Sequence, residues 1–345
     1  MSDSRSVEDS IEYFLQDMTY HGKSERTVAA YERVLRDFDR YLSETTPRGG
    51  DSVAPDAAGY RDCMAWIHEQ RGELAESTIA SYASYLHRFY AYMVQTGEFD
   101  TNPMTLVMEE MDETIETNPT RRDISLPRMR EFVTSVRHPL HHAVLMTFLK
   151  TGMRAGELCN LDLRDVSLEA IEDVLNVTPR AQLDNRGEAI VVLPDRQIGD
   201  VTEGEERTAS NKRRRATIVP VDDELAAALT RWLSVRPEAR SDAEPLFVST
   251  ASAWGRRLTP DMVHHVVESY TAERGWHRSG AGAEENVTPH YFRHFFTTHL
   301  RDRTGDRGVV KYLRGDVADD VIDTYTHDWG DRVRETYLAE IYQLY

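Results

Sequence analysis

Apolar side chains recur at helical spacing along most of the chain. Val28, Tyr31, Val34, Leu35, Phe38, Tyr41 and Leu42 share one stripe, and Ser24 stands where it caps the helix they predict. A second stripe, Ile79, Tyr82, Leu86, Phe89, Tyr90 and Met93, predicts another helix that ends near Gly97. Between them, TTPRGGDSVAPDAAG (45–59) is a loop by its proline and glycine content. EEMDETIETNPTRRD (109–123) is polar, aperiodic and contains a proline, so it reads as a linker between a helical domain over 1–108 and a second domain over 124–345.

The second domain mixes periods. A helix is predicted around 127–150 and a short one from about Ala155. Three β-branched runs, VLNVTP (174–179), AIVVLP (189–194) and ATIVPV (216–221), predict a small antiparallel sheet. Residues 195–215 are charged and turn-rich and read as a long exposed loop; from Asp222 onward the pattern is helical with loops. The fold class is therefore mainly α, a helical front domain followed by a mostly helical domain with a small antiparallel sheet.

Charge changes the picture. The 345 residues carry a formal charge of −18, and only Lys23, Lys150, Lys212 and Lys311 are lysines. An acidic, lysine-poor globular chain points to a salt-rich cytoplasm, where repulsion is screened within ~3 Å; an acidic mesophilic protein is the plainer reading. Net acidity argues against nucleic acid as a partner only weakly, because local patches outweigh the sum. Cys63 and Cys159 form no disulfide framework or zinc pattern, and the absence of a leader or a long apolar run predicts a cytoplasmic protein with no membrane partner.

Four stretches hold candidate chemistry. In TPHYFRHFFTTHL (288–300), Thr288 and Pro289 open a helix; Phe292, Phe295, Phe296 and His299 share one face, and His290, Arg293 and Thr297 the other. The polar face is an anion grip at a helix N-terminus, a metal site, or plain structure. A metal site needs His290 and His294 as in H-E-x-x-H, but Tyr291 replaces the glutamate and Arg293 repels a cation. In TGMRAGEL, Arg154 starts a helix and Glu157 can brace it; otherwise it is a surface arginine in a turn. Lys212 precedes Arg213, Arg214 and Arg215, either as a lysine chosen for proton transfer, which arginine cannot perform, or within a solvated charge run. Tyr325 lies in YLRGDVADDVIDTYTHDWG, one of 16 tyrosines.

In this order, TGMRAGEL, a lysine ahead of an IVPV strand, TPHYFRH, and YLRGD nine positions before a tyrosine (325 − 316) resemble the tyrosine recombinase, or phage integrase, family. SERTVAAYERVLRDFDRYL and ESTIASYASYLHRFYAYM resemble its helical core-binding (SAM-like) domain, and the back domain its DNA breaking-rejoining fold. The resemblance implies that Arg154, His290 and Arg293 hold the scissile phosphate, Lys212 protonates the leaving oxygen, and Tyr325 forms a 3′-phosphotyrosyl link. It implies a site-specific recombinase acting on double-stranded DNA with inverted half-sites, as a tetramer on DNA; to bind DNA despite the net acidity, the chain is expected to present an arginine-rich face that includes Arg213, Arg214 and Arg215. No metal or nucleotide cofactor is implied, and the sequence carries no P-loop or carboxylate cage.

Two features depart from the family pattern. Asp316 stands where a histidine or tryptophan usually donates to the phosphate; a carboxylate only accepts, so it is expected to orient arginines instead. Lys212 follows Arg154 by 58 positions (212 − 154), a long spacing. The last stripe, Val333, Tyr337, Leu338, Ile341, Tyr342 and Tyr345, either closes its own core or, by the resemblance, docks on a neighbouring protomer. Two further functions remain open: a recombinase-like DNA-binding protein without cleavage activity, and a type IB-like topoisomerase.

Overall fold

A computed structural model describes residues 9–45, 53–113, 121–169, 177–282, 284–316 and 329–345. The chain divides into two compact units, Met1–Pro119 and Thr120–Tyr345. Tyr325 lies outside the described residues.

Unit one contains helices α1 (Ser10–Tyr20), α2 (Glu25–Thr45), α3 (Tyr60–Gln70), α4 (Glu76–Thr96) and α5 (Met104–Glu110). Their starts and stops follow local chemistry. Asp9 accepts the N–H groups of Ile11 and Glu12, the Ser24 hydroxyl accepts that of Thr27 at 3.2 Å, and Gly97 ends α4 at φ 80°. The predicted stripes face inward: Val34, Leu35, Phe38 and Leu42 of the first and Ile79, Leu86, Phe89, Tyr90 and Met93 of the second are buried, and Tyr31 stacks on the half-buried Tyr85 at 4.2 Å. Helix α5 runs two residues into the predicted linker.

Unit two contains α6 (Leu126–Ser135), α7 (Pro139–Thr151), α8 (Ala155–Cys159), α9 (Asp223–Leu233), α10 (Pro260–Ala272), α11 (Pro289–Thr304), α12 (Arg307–Arg314) and α13 (Trp329–Glu340). The single helix predicted over 127–150 is two helices. Pro139 holds His138 in extended backbone (φ −69°, ψ 120°), so the turn before it cannot be helical. Helix α7 is apolar nearly all round, buries Leu140 and every residue from His142 to Thr151, and forms the axis of the unit.

The sheet has β1 (Val166–Ser167), β2 (Ala189–Val192) and β5 (Thr217–Pro220), in the order β1-β2-β5 and antiparallel throughout. Ile190 lies opposite both Val166 and Val219. Two of the three predicted strands are present. The third partner is Val166–Ser167 rather than 174–179, of which 177–179 are irregular and the remainder lies outside the described residues. Residues 195–215 are not simply an exposed loop. They carry the hairpin β3 (Val201–Thr202) and β4 (Glu205–Glu206), and they bury Arg196, Arg207, Asn211 and Arg213. The reason is Asp162, fully buried on the neighbouring turn, which accepts from Arg207 (3.0 and 2.9 Å), Arg257 (2.7 Å) and Arg196 (3.0 Å). Burial alone would raise the Asp162 pKa; these guanidiniums outweigh it and hold it below the usual carboxylate value.

The final stripe closes its own core. Val333, Tyr337, Ile341, Tyr342 and Leu344 are buried, whereas Leu338 and Tyr345 are exposed. Lys150, fully enclosed, pairs with Asp222 (2.6 Å) and Glu224 (2.5 Å) and donates to the Tyr342 carbonyl (2.6 Å). Glu224 in turn accepts the backbone N–H groups of Leu344 (2.8 Å) and Tyr345 (2.6 Å), fixing the tail in place.

Candidate active site

The site is built where α7 ends and α11 begins. Gly152 closes α7 at φ 62°, and a Cβ there would lie 2.4 Å from the ring of Phe296. Only glycine fits both the left-handed backbone and this close approach. The fit brings the Gly152 carbonyl to Arg293, whose Nη1 donates to it at 2.7 Å.

Two residues on, Arg154 is the N-cap of α8, and its backbone N–H donates to Glu157 (3.1 Å). Arg154 Nη1 donates to the other oxygen of the same carboxylate (2.8 Å). Glu157 is buried and also receives Arg213 Nη2 at 3.2 Å. Burial pushes its pKa up, but Arg213 and Arg154 overcome that and hold the carboxyl below the usual glutamate value, so it stays ionised.

Arg293 projects from α11, whose Phe292, Phe295, Phe296 and Leu300 pack into the core. The helix begins at Pro289 as its sequence predicts, although the Thr288 hydroxyl makes no capping bond. Arg293 itself is 2 % exposed, more buried than a polar face implies. Its Nη2 donates to the Arg314 carbonyl (3.0 Å) and to Asp316 Oδ1 (2.7 Å). Arg154 Nη2 donates to that same Oδ1, also at 2.7 Å, and Arg314 pairs with Oδ2 at 2.8 Å. Three guanidiniums thus surround one half-buried carboxylate. Its burial raises the pKa, but Arg293, Arg314 and Arg154 more than reverse this and leave it lowered. For Arg293, burial first and Arg154 second lower the pKa to about 10.

His290 lies one turn before Arg293 at the exposed start of α11. Desolvation by neighbouring protein atoms, then Arg121, Arg293, Arg314 and Arg154, push its pKa down to about 4, so the imidazole is neutral at pH 7. Lys212 is exposed at the end of the 195–211 segment and makes no ion pair or hydrogen bond among the described residues. Arg213, expected to face DNA, is buried instead: Nη2 holds Glu157 and Nη1 donates to the Leu313 carbonyl at 3.0 Å. It is a brace behind Arg154, because both guanidiniums share the buried Glu157 carboxylate. Arg214 and Arg215 remain at the surface. Arg154, Arg293 and Asp316 are therefore brought together with His290 beside them. Arg314 and Arg121 join them without having been singled out from the sequence, although Arg314 sits inside the YLRGD motif.

Comparison with known proteins rests on the same segments. The Phage integrase family model matches residues 126–330, and the model for the phage integrase N-terminal SAM-like domain matches residues 11–97. The chain belongs to the phage integrase family. Curated relatives of this integrase-family chain include Tyrosine recombinase XerC of Thermodesulfovibrio yellowstonii, 24% identical over 93% of this chain and 90% of the relative. Tyrosine recombinase XerD of Shewanella oneidensis is 25% identical over 94% of each. Among solved structures, the Tn1549 transposon integrase in complex with transposon right end DNA is similar with a TM-score of 0.63 at 18% identity, covering 96% of this chain and 95% of that one. A lambda integrase dimer bound to a COC′ core site gives 0.59 at 13% identity, covering 91% and 96%. These likenesses establish the mostly helical fold of the integrase-family chain, with its small sheet and SAM-like front domain.

Proposed function

We propose that this chain is a site-specific DNA recombinase that cuts and rejoins double-stranded DNA through a tyrosine nucleophile. The observation that carries the reading is the convergence of Arg154 and Arg293 on one anionic oxygen, each at 2.7 Å, in a family-matched segment. Two fixed guanidiniums are what a phosphodiester needs as negative charge grows on its non-bridging oxygens in the transition state. Neutral His290 adds an N–H donor at the N-terminus of α11 without competing for protons.

Tyr325 is the proposed nucleophile. Its phenol gives up its proton to solvent as Oη attacks phosphorus, the bond from phosphorus to the 5′-oxygen breaks, and Lys212 gives the leaving oxygen its proton. Attack by another 5′-hydroxyl on the 3′-phosphotyrosyl link reverses the step, so no bond energy is lost. The other tyrosines of unit two support the choice, because each has its hydroxyl engaged internally. Tyr337 donates to the Lys150 carbonyl, Tyr342 to the Leu149 carbonyl and Tyr291 to the Arg122 carbonyl. Tyr270 pairs with His141, Tyr345 with His142, and Tyr312 accepts the N–H of Ile218.

Arg214 and Arg215 are proposed to contact the DNA backbone near Lys212. Inverted half-sites and a tetramer on DNA complete the reading; a solved relative, lambda integrase, is described as a tetramer bound to a Holliday junction. Among the described residues no helix is long and apolar enough to cross a membrane.

The test is a library of nicked duplexes of randomised sequence, from which protein–DNA covalent complexes are recovered. Wild type is expected to enrich inverted sequences as adducts, and Arg293→Ala to form them about 10³-fold more slowly. Binding without any adduct would make the chain a DNA-binding protein, and relaxation of plasmid with no enriched sequence a topoisomerase.

A further inference from the structure

Asp316 touches both guanidiniums of the proposed phosphate grip, and it does so with one oxygen. Oδ1 lies 2.7 Å from Arg154 Nη2 and 2.7 Å from Arg293 Nη2. That is the separation at which a charged oxygen sits between two guanidinium forks, whether it belongs to a carboxylate or to phosphate. Arg293 has little else to offer an incoming ligand. It is 2 % exposed, with Nη1 already on the Gly152 carbonyl and Nη2 shared between the Arg314 carbonyl and Asp316. Two anionic oxygens cannot occupy one point, since their repulsion is strong where water is excluded.

We propose that Asp316 is a built-in competitor for the scissile phosphate, a carboxylate that fills the arginine pair until DNA displaces it. The inference rests on the reading that Arg154 and Arg293 bind that phosphate. Arg314, already on Oδ2 at 2.8 Å, keeps the displaced carboxylate paired. Gly315, at φ 70° immediately before Asp316, gives the segment its turn, and its Cα packs so tightly on the Arg213 stem that a Cβ would approach within 2.9 Å. The base of the switch is thus anchored through Arg213 to Glu157 while the carboxylate side chain turns. The consequence is selectivity among anions. Small ambient anions bring too few contacts to dislodge a tethered carboxylate, whereas a phosphate delivered on duplex DNA arrives with the rest of the backbone contacts.

Inorganic phosphate is the probe, and thermal unfolding followed by circular dichroism the readout. Asp316→Asn and Asp316→Ser are expected to be stabilised by phosphate at a concentration at least tenfold below any that affects wild type. Adding Arg154→Ala should abolish that response. Either variant suffices if the other folds poorly, and both are checked by their spectra. Equal responses in wild type and variants, or a response that survives Arg154→Ala, would overturn the proposal. In adduct formation, Asp316→Asn should reach half-maximal yield at a tenfold lower DNA concentration; a higher one would mean that Asp316 serves DNA binding, against the proposal. Failure of the recombinase reading would look different: no adduct from any form, with the phosphate response still confined to the variants.

Discussion

Glu157 holds Arg154 at two points, accepting its backbone N–H at 3.1 Å and its guanidinium at 2.8 Å from a carboxylate that is itself buried. The same carboxylate neutralises Arg213, whose side chain is fully enclosed. Replacing it by an isosteric amide therefore strands a buried guanidinium. Glu157→Gln is expected to lower the unfolding free energy by about 3 kcal/mol, measured by urea denaturation. A sign follows for pH. The folded-state pKa of Glu157 lies below its ordinary 4.5, so its stabilisation is present above that value and is lost as pH falls through the lowered one. The variant should show a flatter loss of stability on acidification than wild type.

His290 gives a second pH signature. In the DNA-free protein its pKa is pushed down to about 4, so its ring resonances should not titrate between pH 5 and 8 in an NMR titration. A lowered histidine pKa costs stability below the ordinary 6.5, increasingly so until pH reaches the folded value. A phosphate bound beside the ring adds the negative charge that four arginines lack, so DNA should move the titration upward. An unshifted pKa near 6.5 in the free protein would contradict the electropositive setting described for it.

Lys150 is the pin of the C-terminal tail. Its ammonium, fully enclosed, meets Asp222, Glu224 and the Tyr342 carbonyl. Lys150→Ala leaves the buried Asp222 and the partly buried Glu224 without their cation and should cost about 3–5 kcal/mol. Residues 341–345 should then become the first site of cleavage in limited proteolysis, whereas in wild type the tail resists.

Much of this was legible in the sequence, and the failures have physical causes. The stripes Val28 to Leu42 and Ile79 to Met93 became α2 and α4 because one apolar face per helix sufficed to build that core. TPHYFRH and TGMR placed Arg293 and Arg154 correctly at helix starts, since Pro289 and Gly152 are strong local signals. Residues 195–215 misled because charge usually means solvent. There Arg196 and Arg207 are directed at one buried aspartate, Asp162, a pairing no periodicity reveals. The strand Val166–Ser167 is two residues long, too short to alternate. Arg213 reads as one of three equivalent arginines, yet it meets the buried Glu157, and that depends on α8 lying behind it.

The central claim, that Tyr325 receives the DNA, is tested most directly by peptide mapping of the covalent complex. Protein trapped on a nicked duplex is digested, and the nucleotide-bearing peptide is identified by mass spectrometry. The account predicts the 3′-phosphoryl group on Tyr325 and no trapped complex from Tyr325→Phe. Attachment at Tyr337, Tyr342 or any other residue, or an undiminished complex from the phenylalanine variant, would contradict it.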